Sequence, residues 1–113
     1  MTDRKIKSGA ANVPCPTFEN PAFVRPTPLA DATVAIVTSA SLHHTSDDDF
    51  APVDTGYRVL ERDRRDLVVG HWSPNFDASG VIADLNVVFP IDRLEELAEA
   101  GTIGRVSDVH LAF

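Results

Sequence analysis

DLNVVFPIDRLEELAEAGTIG, residues 84–104, changes its hydrophobic period at Pro90. Before the proline, Asn86-Val87-Val88-Phe89 is an apolar lead-in at strand spacing; after it, Ile91, Leu94, Leu97 and Ala98 share one face at helical spacing. Pro90 fits the first helical position, where its missing N–H costs nothing and its fixed φ suits the turn. Gly101 fits the position just past the helix, with Ile103 placed for the apolar contact that accompanies such an end. A spacing of two puts the side chains of Asp84 and Asn86 on one face of the lead-in and Leu85 and Val87 on the other. If that face points inward, both polar groups need partners, from a neighbouring loop or from a ligand. Capping of the helix is the structural alternative, and both residues lie upstream of the usual N-cap position.

Outward from this stretch, the remaining elements are short. Thr33 to Ser39, TVAIVTS, is a β-branched run without polar alternation, the pattern of a strand buried on both faces. Small residues follow it, so Ser39 to Phe50 is expected to be a binding loop beyond a central strand. Tyr57–Leu60 and Asp66–Gly70 are two further strand candidates, Val81-Ile82 begins a turn of helix, and Val106–Phe113 alternates as a final strand carrying His110. The segment HWSPNFDASG, residues 71–80, has the proline, asparagine and glycine of a loop. Five of the eight prolines lie before residue 30, which predicts an extended arm over residues 1–30, packed from about residue 16 through Phe18, Phe23, Val24 and Leu29. The expected architecture is α/β: a small, mostly parallel sheet with flanking helices over residues 31–113, preceded by the proline-rich arm.

The 113 residues suit one compact domain. A net charge of −7 argues against a nucleic-acid partner, since the basic residues Arg62, Arg64 and Arg65 are interleaved with acids. Apolar runs are too short for a membrane span, and MTDRKIKSG lacks the apolar core of a secretory signal, so a cytoplasmic location is expected. A single cysteine, Cys15, forms no internal disulfide and no cysteine-built zinc site. It lies in VPCP without a cationic neighbour to activate it, and Ser39 and Ser41 lack the GxSxG elbow of a serine hydrolase.

Four histidines, His43, His44, His71 and His110, beside Asp47, Asp77 and Asp84, raise the question of a metal. No HxH or HExxH spacing is present, and adjacent His43 and His44 point to opposite sides if extended. The metal set this suggests is His43, His71 and His110; the structural alternative is histidines bonded to backbone at loops and strand ends. Asp47-Asp48-Asp49 lacks the alternation of a calcium loop and fits a solvated turn.

The order of motifs resembles the N-terminal half of the glycine, sarcosine, betaine and D-proline reductase B-type selenoprotein family. The resembling pieces are RPTPLADATVAIVTSASLHH (25–44), SDDDF (46–50), FDASGVIADLNVVFPIDRLEELAEAGTIG (76–104) and VHLAF (109–113), with NVVFPIDRL the most specific. The resemblance implies functional positions at His43, Asp47, Phe76-Asp77, Asp84, Asn86 and His110. Where many relatives carry a histidine-rich SHxHFD segment, this chain reads WSPNFD, with Ser73 and Asn75 in place of histidines. The family's redox selenocysteine or cysteine belongs to a second half following the last strand, and Cys15 does not match it. The resemblance therefore implies a small subunit of a two-component reductase-like enzyme, with half of an interface active site for a small amino-acid-like or sulfur- or nitrogen-containing substrate. His43, Asp77, Asp84 and His110 would move protons, Ser41, Ser73, Asn75 and Asn86 would bind substrate, and a partner subunit would supply the redox cysteine or selenocysteine. Two other readings stand beside it: a self-contained metal-dependent enzyme, and a non-catalytic scaffold or regulatory subunit.

Overall fold

The computed structural model describes residues 2–113. Its strands are Thr33–Val34 (β1), Val37–Thr38 (β2), Leu42–His44 (β3), Arg58–Glu61 (β4), Leu67–Val69 (β5), Arg105–Val106 (β6) and Val109–Ala112 (β7). Its helices are Asp3–Ala11 (α1), Ser79–Ala83 (α2) and Ile91–Glu99 (α3), with single 3-10 turns at Leu29–Asp31 and Leu85–Val87. The fold is α/β as expected, built from small sheets. β1 pairs with β6 and β2 with β7 in parallel, whereas β4 joins β7 and β5 joins β3 antiparallel. The three-stranded sheet runs β2-β7-β4, so β7 is its centre.

Phe89, Leu42, Leu60 and Ile91 are the fully buried apolar anchors, and Ile36, Ile103, Val106 and Ala112 close around them. Phe89 and Ile91 flank Pro90, so the proline that changes the sequence period also fixes where α3 leaves the core. Pro90 itself is the N-cap and Ile91 the first helical residue, one position later than the sequence suggests. The far end of α3 is as expected. Gly101 adopts φ +70°, Thr102 N donates to Leu97 O at 2.9 Å and Gly101 N to Ala98 O at 3.0 Å, the Schellman pattern, and Ile103 is buried beneath it. Gly104 then approaches the Asp31–Ala32 backbone so closely that a Cβ there would meet Asp31 C at 2.7 Å. Its N–H donates to Leu29 O at 2.9 Å, which ties the end of α3 to the start of β1.

Three expectations are corrected. Thr33–Ser39 is two strand fragments with alternating burial, not one strand buried on both faces: Ile36 and Thr38 face the core, while Val37 is 63% exposed. β-branched residues favour extended backbone whether one face or two is covered, so the run identified the strand but not its environment. Next, the expected loop after it contains β3. Ser41, at φ 52°, turns the chain, and Leu42–His44 then pairs with β5.

The arm is the third. Asp3–Ala11 is helical, with no buried residue and an Asp3–Lys7 ion pair of 3.2 Å one turn apart. Residues 12–28 have no regular structure, and Phe18, Phe23 and Val24 are exposed rather than packed, Phe23 by 95%. The radius of gyration of 17.0 Å reflects this, since a compact chain of this length would have about 13 Å.

Candidate functional site

β3 places two adjacent histidines on opposite faces, and both are buried, because β5, β4 and the Asp47–Phe50 turn cover the two sides. His44 Nδ1 donates to Asp66 Oδ1 at 3.1 Å, and its Nε2 accepts from the Glu61 N–H at 3.2 Å. One donor and one acceptor match a neutral imidazole protonated on Nδ1. Asp66 also accepts from Arg64, at 2.6 Å from Nη2, and from Thr45 Oγ1 at 3.0 Å. The Arg64 hydrogen bond, foremost, holds the Asp66 carboxyl far below the usual carboxylate range. His44 is thus a structural tie between β3, β4 and the turn before β5.

His43 is wired differently. Its Nδ1 lies 3.3 Å from Ser41 O and its Nε2 lies 3.1 Å from Asp49 Oδ1. Both partners are acceptors, so only a doubly protonated ring satisfies both; a neutral ring satisfies one. The ring is 3% exposed while the Asp49 side chain is 92% exposed, so the pair connects a buried imidazole to bulk water through an exposed carboxylate. Phe50 meets the ring edge-on at 5.8 Å, and Gly70 lies beneath it, where a Cβ would come within 3.0 Å of Cε1. Arg58 pins the acidic turn, donating to Asp48 O and Asp49 O and stacking 4.2 Å over Phe50. Ser41, the predicted substrate-binding serine, donates from Oγ to Phe113 O at 3.3 Å and presents its carbonyl to His43 and to Gly70 N.

His110, fully buried on β7, accepts from the Ile36 N–H at 2.9 Å through Nδ1 and packs edge-on against Phe89 at 5.2 Å. Its proton therefore sits on Nε2, which is buried with no hydrogen-bond partner among the described residues. Burial, then the nearby Arg62 and Arg65 cations, push its pKa below the ordinary value. His71 lies apart in the 71–78 loop, stacked on Phe76 at 4.3 Å and accepting from Ser73 N at 3.0 Å. Among the described residues no three His, Cys, Asp or Glu side chains gather as a metal site, so the expected ligand set His43, His71 and His110 is not assembled. The physical reason is visible in the partners: His110 is committed to backbone in the core and His71 to its own loop.

The remaining predicted residues serve local turns. Asp77 Oδ1 accepts from Ser79 N at 2.9 Å at the start of α2, and bonds from Ser79 lower its pKa. Ser73 Oγ accepts from Asn75 N at 3.3 Å, and both residues are exposed. Asp84 and Asn86 do come together, but not on a strand. The 3-10 turn Leu85–Val87 folds the lead-in back, so that Asn86 Oδ1 accepts from Asp92 N at 3.1 Å at the start of α3. The Asn86 amide also donates to Asp84 Oδ1 at 2.9 Å and to Asp92 Oδ2 at 2.8 Å. The bonds that Asp84 accepts from the Asn86 amide and from the Asn86 N–H lower its pKa, and the capping alternative is what the geometry adopts.

Two groups escaped the sequence reading as site residues, Asp49 and the Arg64–Asp66 pair. The signal for the first was an acid six residues after a histidine, and for the second the alternating charges of ERDRRD; neither spacing is distinctive. Beyond the histidines, β5 and the 78–85 segment border a groove of about 450 Å³, lined by Leu67, Val69, Val81, Ile82 and Leu85 with Arg65 as its cation. Among the described residues no helix is long and apolar enough to cross a membrane.

By sequence, the chain is similar to a subunit of an amino-acid reductase. It is 35% identical over 88 residues to D-proline reductase subunit gamma of Acetoanaerobium sticklandii, a match covering 75% of this chain and 36% of that relative. The chain spans about a third of the length of the curated relative it matches. No protein-family profile matches the chain, and no solved structure matches it.

Proposed function

We propose that this chain is one part of a heteromeric reductase related to D-proline reductase, acting on a small amino-acid-like substrate with a partner that supplies the redox cysteine or selenocysteine. The observation that carries this reading is the 35% identity over three-quarters of the chain to a named reductase subunit, of which it spans 36%. The B-type selenoprotein family is the narrower assignment within it, resting on the NVVFPIDRL and GTIG motifs.

Within the chain, His43 with Asp49 is the proton-handling pair. The buried ring can hold a proton between the Ser41 carbonyl and the Asp49 carboxylate and exchange it with solvent through the exposed Asp49. The groove bordered by Arg65, Leu67, Val69 and Leu85 lies on the other face of the β3–β5 ladder from His43, and Arg65 there pairs with Asp92 at 3.9 Å and Glu95 at 3.6 Å, so it is separate from the proton-handling pair. Asp77 holds the start of α2 and Asn86 with Asp84 the start of α3, while His110 holds the core through Ile36. The redox step itself belongs to the partner.

The test is co-expression with the product of the neighbouring reading frame, followed by assay of D-proline consumption under a dithiol reductant. A stable complex with activity is expected, with kcat lowered about a hundredfold by His43→Gln. Failure to form any complex would overturn the two-component reading. An active complex indifferent to His43→Gln would leave this chain a scaffold.

A further inference from the structure

Three consecutive peptide carbonyls in the turn after β3 are each held by a side chain from outside it. Arg58, on β4, donates from Nη2 to Asp48 O at 3.3 Å and to Asp49 O at 3.4 Å, and Trp72, in the 71–78 loop, donates from Nε1 to Phe50 O at 2.6 Å. Asp54 pairs with the same Arg58 nitrogen at 3.2 Å. Of the acids in the turn, Asp47 accepts from the His44 N–H at 3.0 Å, and Asp49 is the one that bonds the His43 ring. The Asp49 carboxylate is 92% exposed and makes no other hydrogen bond among the described residues, so where its backbone stands decides whether it meets His43 Nε2 at 3.1 Å.

Trp72 is the tryptophan of a chain that has one, and it is 61% exposed, so the indole reaches the fold chiefly through its single donor. What that donor holds is Phe50, whose own ring is buried and meets His43 edge-on, and whose neighbour in the chain is Asp49. Through one carbonyl, Trp72 bears on both the packing partner of the imidazole and the residue that carries its acid.

We propose that Trp72 is the positioning residue of the His43–Asp49 pair: its indole N–H, by holding the Phe50 carbonyl, keeps the Asp49 carboxylate on the His43 ring. The consequence for catalysis rests on the proton-handling reading of that pair. The positioning is a property of this chain alone, so the two are tested separately.

Two substitutions separate the donor from the ring. Trp72→Phe keeps an aromatic ring and lacks the N–H, whereas Trp72→Gln lacks the ring and keeps an amide N–H. Carbon-13 spectra of the purified full chain, followed against pH, should show the Asp49 carboxyl carbon responding in the same step as the His43 ring, because ionisable groups in contact titrate as a pair. That shared step should be lost at Asp49 in Trp72→Phe and return in Trp72→Gln, with circular dichroism unchanged in both, since the position is exposed. In the co-expressed complex, Trp72→Phe should lower kcat about tenfold with KM unchanged, and should add nothing in an Asp49→Asn background. A native chain without the shared step overturns the proposal, as does a step that survives Trp72→Phe or one lost equally in both variants. A kcat unmoved by Trp72→Phe, in a complex that does respond to His43→Gln, overturns it too. Indifference to His43→Gln overturns the catalytic reading alone, and the carbon-13 result then decides the positioning.

Discussion

His44 and His110 bury neutral imidazoles with opposite tautomers, and their partners set the difference. His44 gives its Nδ1 proton to Asp66 and accepts from Glu61 N, whereas His110 accepts at Nδ1 from Ile36 N and keeps its proton on Nε2. Nitrogen-15 correlation spectra at pH 7.5 should assign an Nδ1–H tautomer to the first and an Nε2–H tautomer to the second. His110 also links stability to pH. Its pKa is lowered from 6.5 on folding, so the unfolded chain takes up that proton first. Its contribution is complete above about 6.5 and is lost as pH falls toward the folded value. Urea unfolding should therefore show stability declining from pH 7 to 5. His110→Asn, whose amide oxygen can accept from Ile36, should flatten that decline while costing about 2 kcal/mol at neutral pH. The sequence singled out His43 and His110 as candidate catalytic and metal-binding residues. It could not assign their roles, because Ile36 lies 74 residues from His110, and Asp49 reads as one acid in a run of three.

At the scale of elements, the ends of α3 hold the fold's two most demanding joints. Asn86 caps the helix from a 3-10 turn, so Asn86→Ala should cost about 1 kcal/mol in urea unfolding. The loss should be non-additive with Asp84→Ala, since the two side chains share a bond. Gly101 and Gly104 separate two reasons for glycine. Gly101→Ala meets no neighbour and bears only the left-handed φ, an expected loss of about 1 kcal/mol. Gly104→Ala would drive a methyl into the Asp31–Ala32 backbone and should lose more, about 3 kcal/mol by the same measurement. The helix, its start near Pro90 and its glycine end were legible from period and caps. The Asn86–Phe89 lead-in was not, because four residues of alternating polarity describe a strand and a folded-back capping turn equally well.

For the whole molecule, two acid transitions follow from the charges. The His110 contribution goes first, below 6.5. The carboxylates of Asp66, Asp77 and Asp84, all held below the ordinary 3.8, keep their contribution above that value and lose it as pH falls further. The pH dependence of the urea midpoint should show both stages, and Arg64→Met should shrink the second by releasing Asp66. The α/β class was legible because α3 and strands such as β4, β5 and β7 announce themselves locally, although α1 and β3 did not. The pairing was not: which strand becomes the centre of a sheet depends on contacts across most of the chain, and composition carries no record of them.

β7 sits between β2 and β4, yet it follows both in the chain. During synthesis, then, β2 and β4 leave the ribosome with their ladder groups unpaired, and the sheet cannot zip until residues 109–112 have emerged. The central strand of this sheet is made after both of its neighbours, so the nascent chain must wait in an open, association-prone form for that centre to arrive.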